Sequence, residues 1–339
     1  MNEIDAVTTS GTTGTSGTSG TATVSGTAAG NARPLLTGLF LQPSFRVVLA
    51  LLAGLVLFDA IATRAMGLTL TGLGRILWLT PIATMAVLAH LLSLQPASRI
   101  KGLWAKASVV LFCLCLLTVF SLAAIVLQDT VISARFDLVD EQLAGIDAAL
   151  GFHWRHAYRW LTRHSQIFEL LRHWYQLHGW QVTLIPLLLA CKQRMDDLAD
   201  YLLLFSATVV LAILISATIP ASNPYIYFGQ IGAYDPSEWS QFAALHDGVL
   251  RVIDLNDNQG LISLPSLHAA HAVVFVYVTR HLRGWNVGFG VVNFVMTIAA
   301  LPFGGHYLID ILAGIALALV VIWTSRRVSP RRTPSLHPS

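Results

Sequence analysis

The chain has 339 residues, of which 55% are hydrophobic and 12% charged, with a formal net charge of +3. Soluble domains carry roughly a quarter of their residues as charges, so this balance excludes an ordinary water-soluble globule and points to an integral membrane protein. The three cysteines, Cys113, Cys115 and Cys191, read as apolar fillers rather than as a disulfide pair or a metal site.

In chain order, residues 6–32 come first, a tract of Gly, Thr, Ser and Ala. It lacks the basic stretch and apolar core of a signal peptide. It buries too little apolar surface to offset its ordering entropy, so residues 1–33 are expected to be a disordered tail. A helix needs about 20 apolar residues to cross a bilayer core. Runs without Asp, Glu, Lys or Arg cover residues 76–98, 107–128, 173–191, 201–234, 258–279, 284–309 and 311–325. A shorter run at 47–58 must extend through Asp59 to span. These runs predict helices near 47–63, 76–95, 107–128, 173–191, 201–220, 264–280, 285–304 and 307–325. The expected fold is an all-α integral membrane protein of about eight transmembrane helices. Residues 34–106 then form two accessory N-terminal helices, 107–325 a membrane-embedded core, and 326–339 a basic tail.

Eight crossings put both termini on one side. That side receives Arg33, Arg46, Arg99, Lys101, Lys106, Lys192, Arg194, Arg280, Arg283, Arg326, Arg327, Arg331 and Arg332. Positive residues in short loops mark the cytoplasm, so both termini are expected there.

Two long segments then fall on the outer side. In the first, 129–172, Leu138, Leu143, Ile146, Leu150, Trp154, Tyr158 and Leu161 recur at helical spacing among Asp137, Asp140, Glu141, Arg155 and Arg159. This amphipathic pattern suits helices lying along a membrane surface. The second, 221–263, sets Tyr225, Tyr227, Phe228, Tyr234 and Trp239 among Gly, Pro and Asp. Loops of that length are commonly functional, and the aromatic content predicts an ordered cap at headgroup level.

The residues that carry chemistry are Pro265-Ser266-Leu267-His268 and, 38 residues after His268, His306-Tyr307-Leu308-Ile309-Asp310. Pro265 suits a first helical position, and a helix N-terminus beside the Ser266 hydroxyl is a ready anion site. His306 and Asp310 are four apart, which places them on one helix face. A carboxylate there accepts from one ring nitrogen and leaves the other free to attack. Two histidines and one aspartate suffice for covalent phosphoryl transfer, one histidine attacking phosphorus and the other protonating the departing oxygen. An intramembrane Asp is functional by default, whereas His90, His173 and His178 read as packing residues. The rival is a metal site in which His268 and His271, spaced H-x-x-H, are joined by His306 and Asp310.

These motifs, with Gly305 before His306 and Gly314 beyond Asp310, resemble the type 2 phosphatidic acid phosphatase superfamily, and within it the branch that includes inositol phosphorylceramide synthase. The likeness runs over about residues 130–325, through Asp137 to Gly151 and Trp154 and the helix holding Tyr175. The resemblance implies a six-helix phosphatase-like core, a mechanism through a phosphohistidine, and no metal or other cofactor. It makes His306 the nucleophile, Asp310 its orienting carboxylate, His268 the general acid and Ser266 a phosphate-binding hydroxyl. Three phosphate-clamping cations of the family pattern are missing: Ser216, Asn223 and Ala300 stand at or nearest their positions. A phosphoryl transition state needs such stabilisation, and outer-side arginines such as Arg155 or Arg251 are the available source. Asn223, Tyr307 and Arg251 are therefore expected beside Ser266 in the substrate site. The expected activity is cleavage or transfer of phosphate on a lipid phosphate, polyprenyl phosphate or phospholipid headgroup at the outer leaflet. The partners are a membrane lipid and the bilayer, with an alcohol or polyol as acceptor if the reaction is transfer, and no nucleic acid. The alternative is a catalytically lapsed relative that binds or moves lipids.

Overall fold

The computed structural model describes residues 35–95, 99–229, 240–257 and 259–328. The tail expected to be disordered, Tyr234, Trp239 and the basic tail beyond Val328 lie outside the described residues.

The chain runs through α1 (Leu35–Leu41), α2 (Pro43–Ala65), β1 (Thr69–Thr71), α3 (Gly74–Leu77), α4 (Thr80–Leu94), α5 (Lys101–Ile132), α6 (Asp140–Ala149) and α7 (Trp154–Thr162). It continues through α8 (Ser165–Cys191), α9 (Met195–Thr218), α10 (Pro224–Phe228), α11 (Phe242–His246), β2 (Val252–Asp254), α12 (Leu267–Thr279), α13 (Asn286–Phe303) and α14 (Leu308–Val328). Every predicted span falls on a helix. Among the described residues, six stretches are long and apolar enough to cross a bilayer: Pro43–Ala65, Gly74–Leu94, Lys101–Ile132, Met195–Thr218, Asn286–Phe303 and Leu308–Val328. The other two predicted spans are α8, which is polar and aromatic through its first half, and α12, only 13 residues long. At 1.5 Å per residue α12 reaches about 20 Å, short of the roughly 30 Å of hydrocarbon.

Helix α12 is nonetheless central. Its Ala270, Val274, Phe275 and Val278 are wholly buried in one apolar cluster with Phe45 of α2, Phe120 of α5, Leu189 of α8, Leu202 of α9 and Ala318 of α14. A helix apolar on all sides belongs inside. The opposite case is α4, which packs chiefly on α5 and leaves Met85, Val87, Leu88 and Leu91 exposed. Apolar exposure on that scale is what a lipid-facing surface presents.

One feature departs from the all-α reading. A two-stranded parallel sheet pairs β1 with β2 in the register Thr69↔Val252, Leu70↔Ile253 and Thr71↔Asp254, packed over Leu122 and Val126 of α5. Three-residue strands carry too little alternation to stand out from loop sequence. In α6 the residues of the amphipathic pattern divide. Leu138, Ile146 and Leu150 are exposed, and the helix buries Asp140, Leu143 and Asp147 instead. Helix α7 follows expectation, burying Trp154, Tyr158 and Leu161 and exposing Arg155 and Arg159.

Candidate active site

Helix α13 ends at Pro302-Phe303, and its last-turn carbonyls take partners from outside the helix. The Leu301 carbonyl accepts from the Trp154 indole N–H at 3.3 Å and from the His306 N–H at 3.2 Å. The Pro302 carbonyl accepts from the Tyr225 hydroxyl. The chain then turns through Gly304 and Gly305. Gly305 has φ +59°, a region that costs a side-chain-bearing residue, and a Cβ there would press on the Tyr225 ring at 3.2 Å. Gly304 has ordinary φ, but a Cβ on it would lie 2.9 Å from His306 Nε2 and 2.7 Å from the Ala300 carbonyl oxygen. The two glycines thus set His306 down in the turn before α14, rather than on the helix face shared with Asp310 that the spacing suggested.

His306 and Asp310 still meet. Nδ1 stands 3.4 Å from Asp310 Oδ2, with both side chains almost entirely buried. That is an ion-pair separation, longer than a hydrogen bond. Asp310 Oδ2 instead accepts from the Ser263 hydroxyl at 2.7 Å and the Tyr307 N–H at 2.9 Å. His306 Nδ1 and Asp310 Oδ1 have no hydrogen-bond partner among the described residues.

The Pro265-Ser266 motif also differs from expectation. Helix α12 starts at Leu267 with Ser266 as its N-cap, so Pro265 precedes the helix. The Ser266 hydroxyl accepts from the Ala269 N–H at 3.4 Å, a capping role. The Ser266 N–H donates to the Asp310 carbonyl at 3.0 Å, which joins the first turns of α12 and α14. Gly314 permits this approach, since a Cβ there would fall 2.2 Å from the Ser266 carbonyl oxygen.

His268, half-buried in the first turn of α12, stacks on Tyr175 of α8 with centroids 4.2 Å apart and lies within electrostatic range of His306. His178, read from sequence as a packing residue, is 4.5 Å from His268 centroid to centroid, and its Nε2 is 2.9 Å from His271 Nδ1. The H-x-x-H pair therefore divides: His268 faces Tyr175, and His271 is engaged with His178. Among the described residues no group of three or more His, Cys, Asp or Glu is arranged to hold a metal ion.

The inward carboxylates of α6 hold this site from the side. Asp140 Oδ1 accepts from the Tyr307 hydroxyl at 2.9 Å and the Asn223 N–H at 3.2 Å, and its Oδ2 from the Ser222 N–H at 2.9 Å. Asp147 accepts from the Leu308 and Ile309 N–H groups at 2.7 and 2.9 Å, capping α14 from another helix. Burial pushes the Asp147 carboxyl above its usual range, the two N–H bonds oppose this, and Asp310 adds to the rise. Burial, then Asp140, pushes the Tyr307 phenol far up, so its hydroxyl stays a donor. Asp140, Asp147 and Ser263 were not singled out from sequence. The signal available was two acids seven apart flanking Leu143, on what would be one helix face.

The predicted substrate-binding residues divide. Asn223 (φ +149°) caps α10, its Oδ1 accepting from the Ile226 N–H at 3.0 Å, and its Cβ lies beside Gly305. Tyr307 is wholly buried, its hydroxyl on Asp140. Arg251 is not brought to the histidines: it donates to the Met66 carbonyl at 2.9 Å, in a pocket with Arg135. Arg155 lines a cavity of about 280 Å³ with Asp147, His153, Phe228 and Tyr307. Ala300 is buried against Ala269 and Ile311, and Ser216 within α9.

A family model described as the PAP2 superfamily matches residues 141–324, the stretch that holds both histidine motifs. No curated protein and no solved structure matches the chain.

Proposed function

The chain belongs to the PAP2 superfamily, and from that premise we propose that it is a membrane enzyme that cleaves or transfers phosphate on a lipid through a phosphohistidine at His306. The observation that carries this reading is the buried His306–Asp310 pair, 3.4 Å from Nδ1 to Oδ2. With Nδ1 turned to the carboxylate, Nε2 is the nitrogen left to react. Nε2 attacks phosphorus, the bond from phosphorus to the lipid oxygen breaks, and His268 gives its proton to that oxygen. A water or alcohol then loses its proton to His268 and attacks phosphorus. The P–N bond breaks and its electron pair returns to Nε2. Contacts of this kind are often long before substrate binds and shorten in the reacting complex.

The missing clamp cations favour a phosphodiester over a monoester dianion, because Coulomb energy scales with the product of the charges. Arg155, which lines a cavity with Tyr307, is the source of compensating charge in this reading. The branch that includes inositol phosphorylceramide synthase fits that preference, with an alcohol or polyol acceptor, the active site on the outer face and eight membrane segments, of which α12 reaches only part of the way across.

The test compares purified protein and His306→Ala on a lipid phosphomonoester and on a phosphodiester lipid with inositol as acceptor. Wild type is expected to turn over the phosphodiester faster, with the alanine variant at least about a thousandfold slower. Retention of more than about a tenth of the rate removes His306 as nucleophile. Monoester hydrolysis without transfer assigns a simple lipid phosphatase, and no turnover of either substrate assigns the lapsed, lipid-binding reading.

A further inference from the structure

Asp59 lies on α2, outside the region that the family match covers, six residues before the helix ends at Ala65. It is 6% exposed, and its Oδ1 has no hydrogen-bond partner among the described residues. Thr63, one turn on and in the same cavity lining, donates its hydroxyl to the Asp59 backbone carbonyl at 2.6 Å.

Asp59 lines a cavity of about 220 Å³ between α2, α5 and the start of α3. The rest of the lining is almost wholly apolar, with Val56, Leu70, Val119, Leu122 and Val126 among it. The cavity opens beside Val56, Leu73 and Ile76, which are exposed. An unpaired carboxyl in such surroundings is costly, and an intramembrane acid without a partner marks a site. An apolar slot with one hydrogen-bonding group at its wall is the common form of a small-molecule pocket.

We propose that this cavity binds a single-chain lipid whose aliphatic tail lies against α2 and α5 and whose polar end donates a hydrogen bond to Asp59. A hydroxyl or an ammonium fits, because each can donate to a carboxyl oxygen. The tail supplies the burial that the apolar lining calls for, and the polar end supplies a partner for the carboxyl that the lining does not offer. The site stands apart from the histidine motifs and does not depend on the reading of them.

The test uses the full chain in lipid nanodiscs and three probes of equal length bearing a mid-chain diazirine: dodecylamine, dodecanol and dodecane. After photolysis, labelled peptides are mapped by mass spectrometry. The amine and the alcohol are expected to label residues 56–63 and 119–126 about tenfold more than the alkane, the difference a single hydrogen bond makes. Asp59→Leu should reduce both to the alkane level without unfolding, because it removes an unpaired polar group. Ala60→Trp, on the exposed rim of the cavity, should block all three probes while leaving Asp59 in place. Equal labelling by the three probes, full labelling of Asp59→Leu, or label confined to other helices would overturn the proposal.

Discussion

Gly304 shows how much of the site rests on an atom that is missing. Its backbone conformation is open to any residue, so its constraint comes from space alone: a methyl would sit 2.9 Å from His306 Nε2 and 2.7 Å from the Ala300 carbonyl oxygen. The Gly304→Ala variant is expected to fold, with an unchanged circular dichroism spectrum, and to lose about a hundredfold in kcat through displacement of the imidazole. An unaltered kcat would mean that Nε2 is not the reacting nitrogen. At this scale the sequence was informative about which residues react and less so about how they are held. His268, His306 and Asp310 stood out because histidine and aspartate are expensive in an apolar run. Ser263, Asp140 and Asp147 lie in polar stretches, where a serine or a carboxylate is unremarkable, and their importance appears only when the chain brings them to Asp310, Tyr307 and the first turn of α14.

Between elements, the closest approach at the site is that of α12 to α14, where the Ser266 carbonyl oxygen occupies the space a Gly314 side chain would fill at 2.2 Å. Gly314→Ala must therefore push the two helices apart. We expect it to cost about 1–3 kcal/mol, the range for overpacking, read as a lowered unfolding midpoint in detergent. A midpoint equal to wild type would show that α14 can shift without loss. The positions of the long helices were legible because apolar runs need only composition and length to be seen. The facing of α6 was not. Its leucines gave an amphipathic pattern without saying which side meets the core; α6 lies beside the unpaired N–H groups that open α14, and Asp147 meets that demand while Ile146 and Leu150 stay exposed. A helix at the rim of a bilayer has apolar surroundings on its outer side as well, so the direction of its apolar face says little about where the protein core is.

For the whole molecule, the positive-inside distribution makes a prediction that the native cysteines help to test. Cys191 is exposed at the end of α8, on the side expected to be cytoplasmic, and Val249, between α11 and β2, is 83% exposed on the opposite side. In intact cells, an impermeant thiol reagent should leave Cys191 unlabelled until the membrane is opened. A cysteine at Val249, in a Cys191→Ser background, should label at once. The reverse pattern would move the histidines to the cytoplasmic face. The small parallel sheet bears on a different matter, the order in which the protein can be completed. Leu70 pairs with Ile253, and the Thr69 N–H donates to the Arg251 carbonyl. At ribosomal speeds of about 5–20 residues per second, β1 waits on the order of ten to forty seconds for its partner to be synthesised. During that interval its N–H and C=O groups are an open strand edge. The N-terminal helices can thus pack on α5 early, whereas the strand pairing that ties β1 to β2 comes late, and a nascent protein arrested before β2 would keep that edge unpaired.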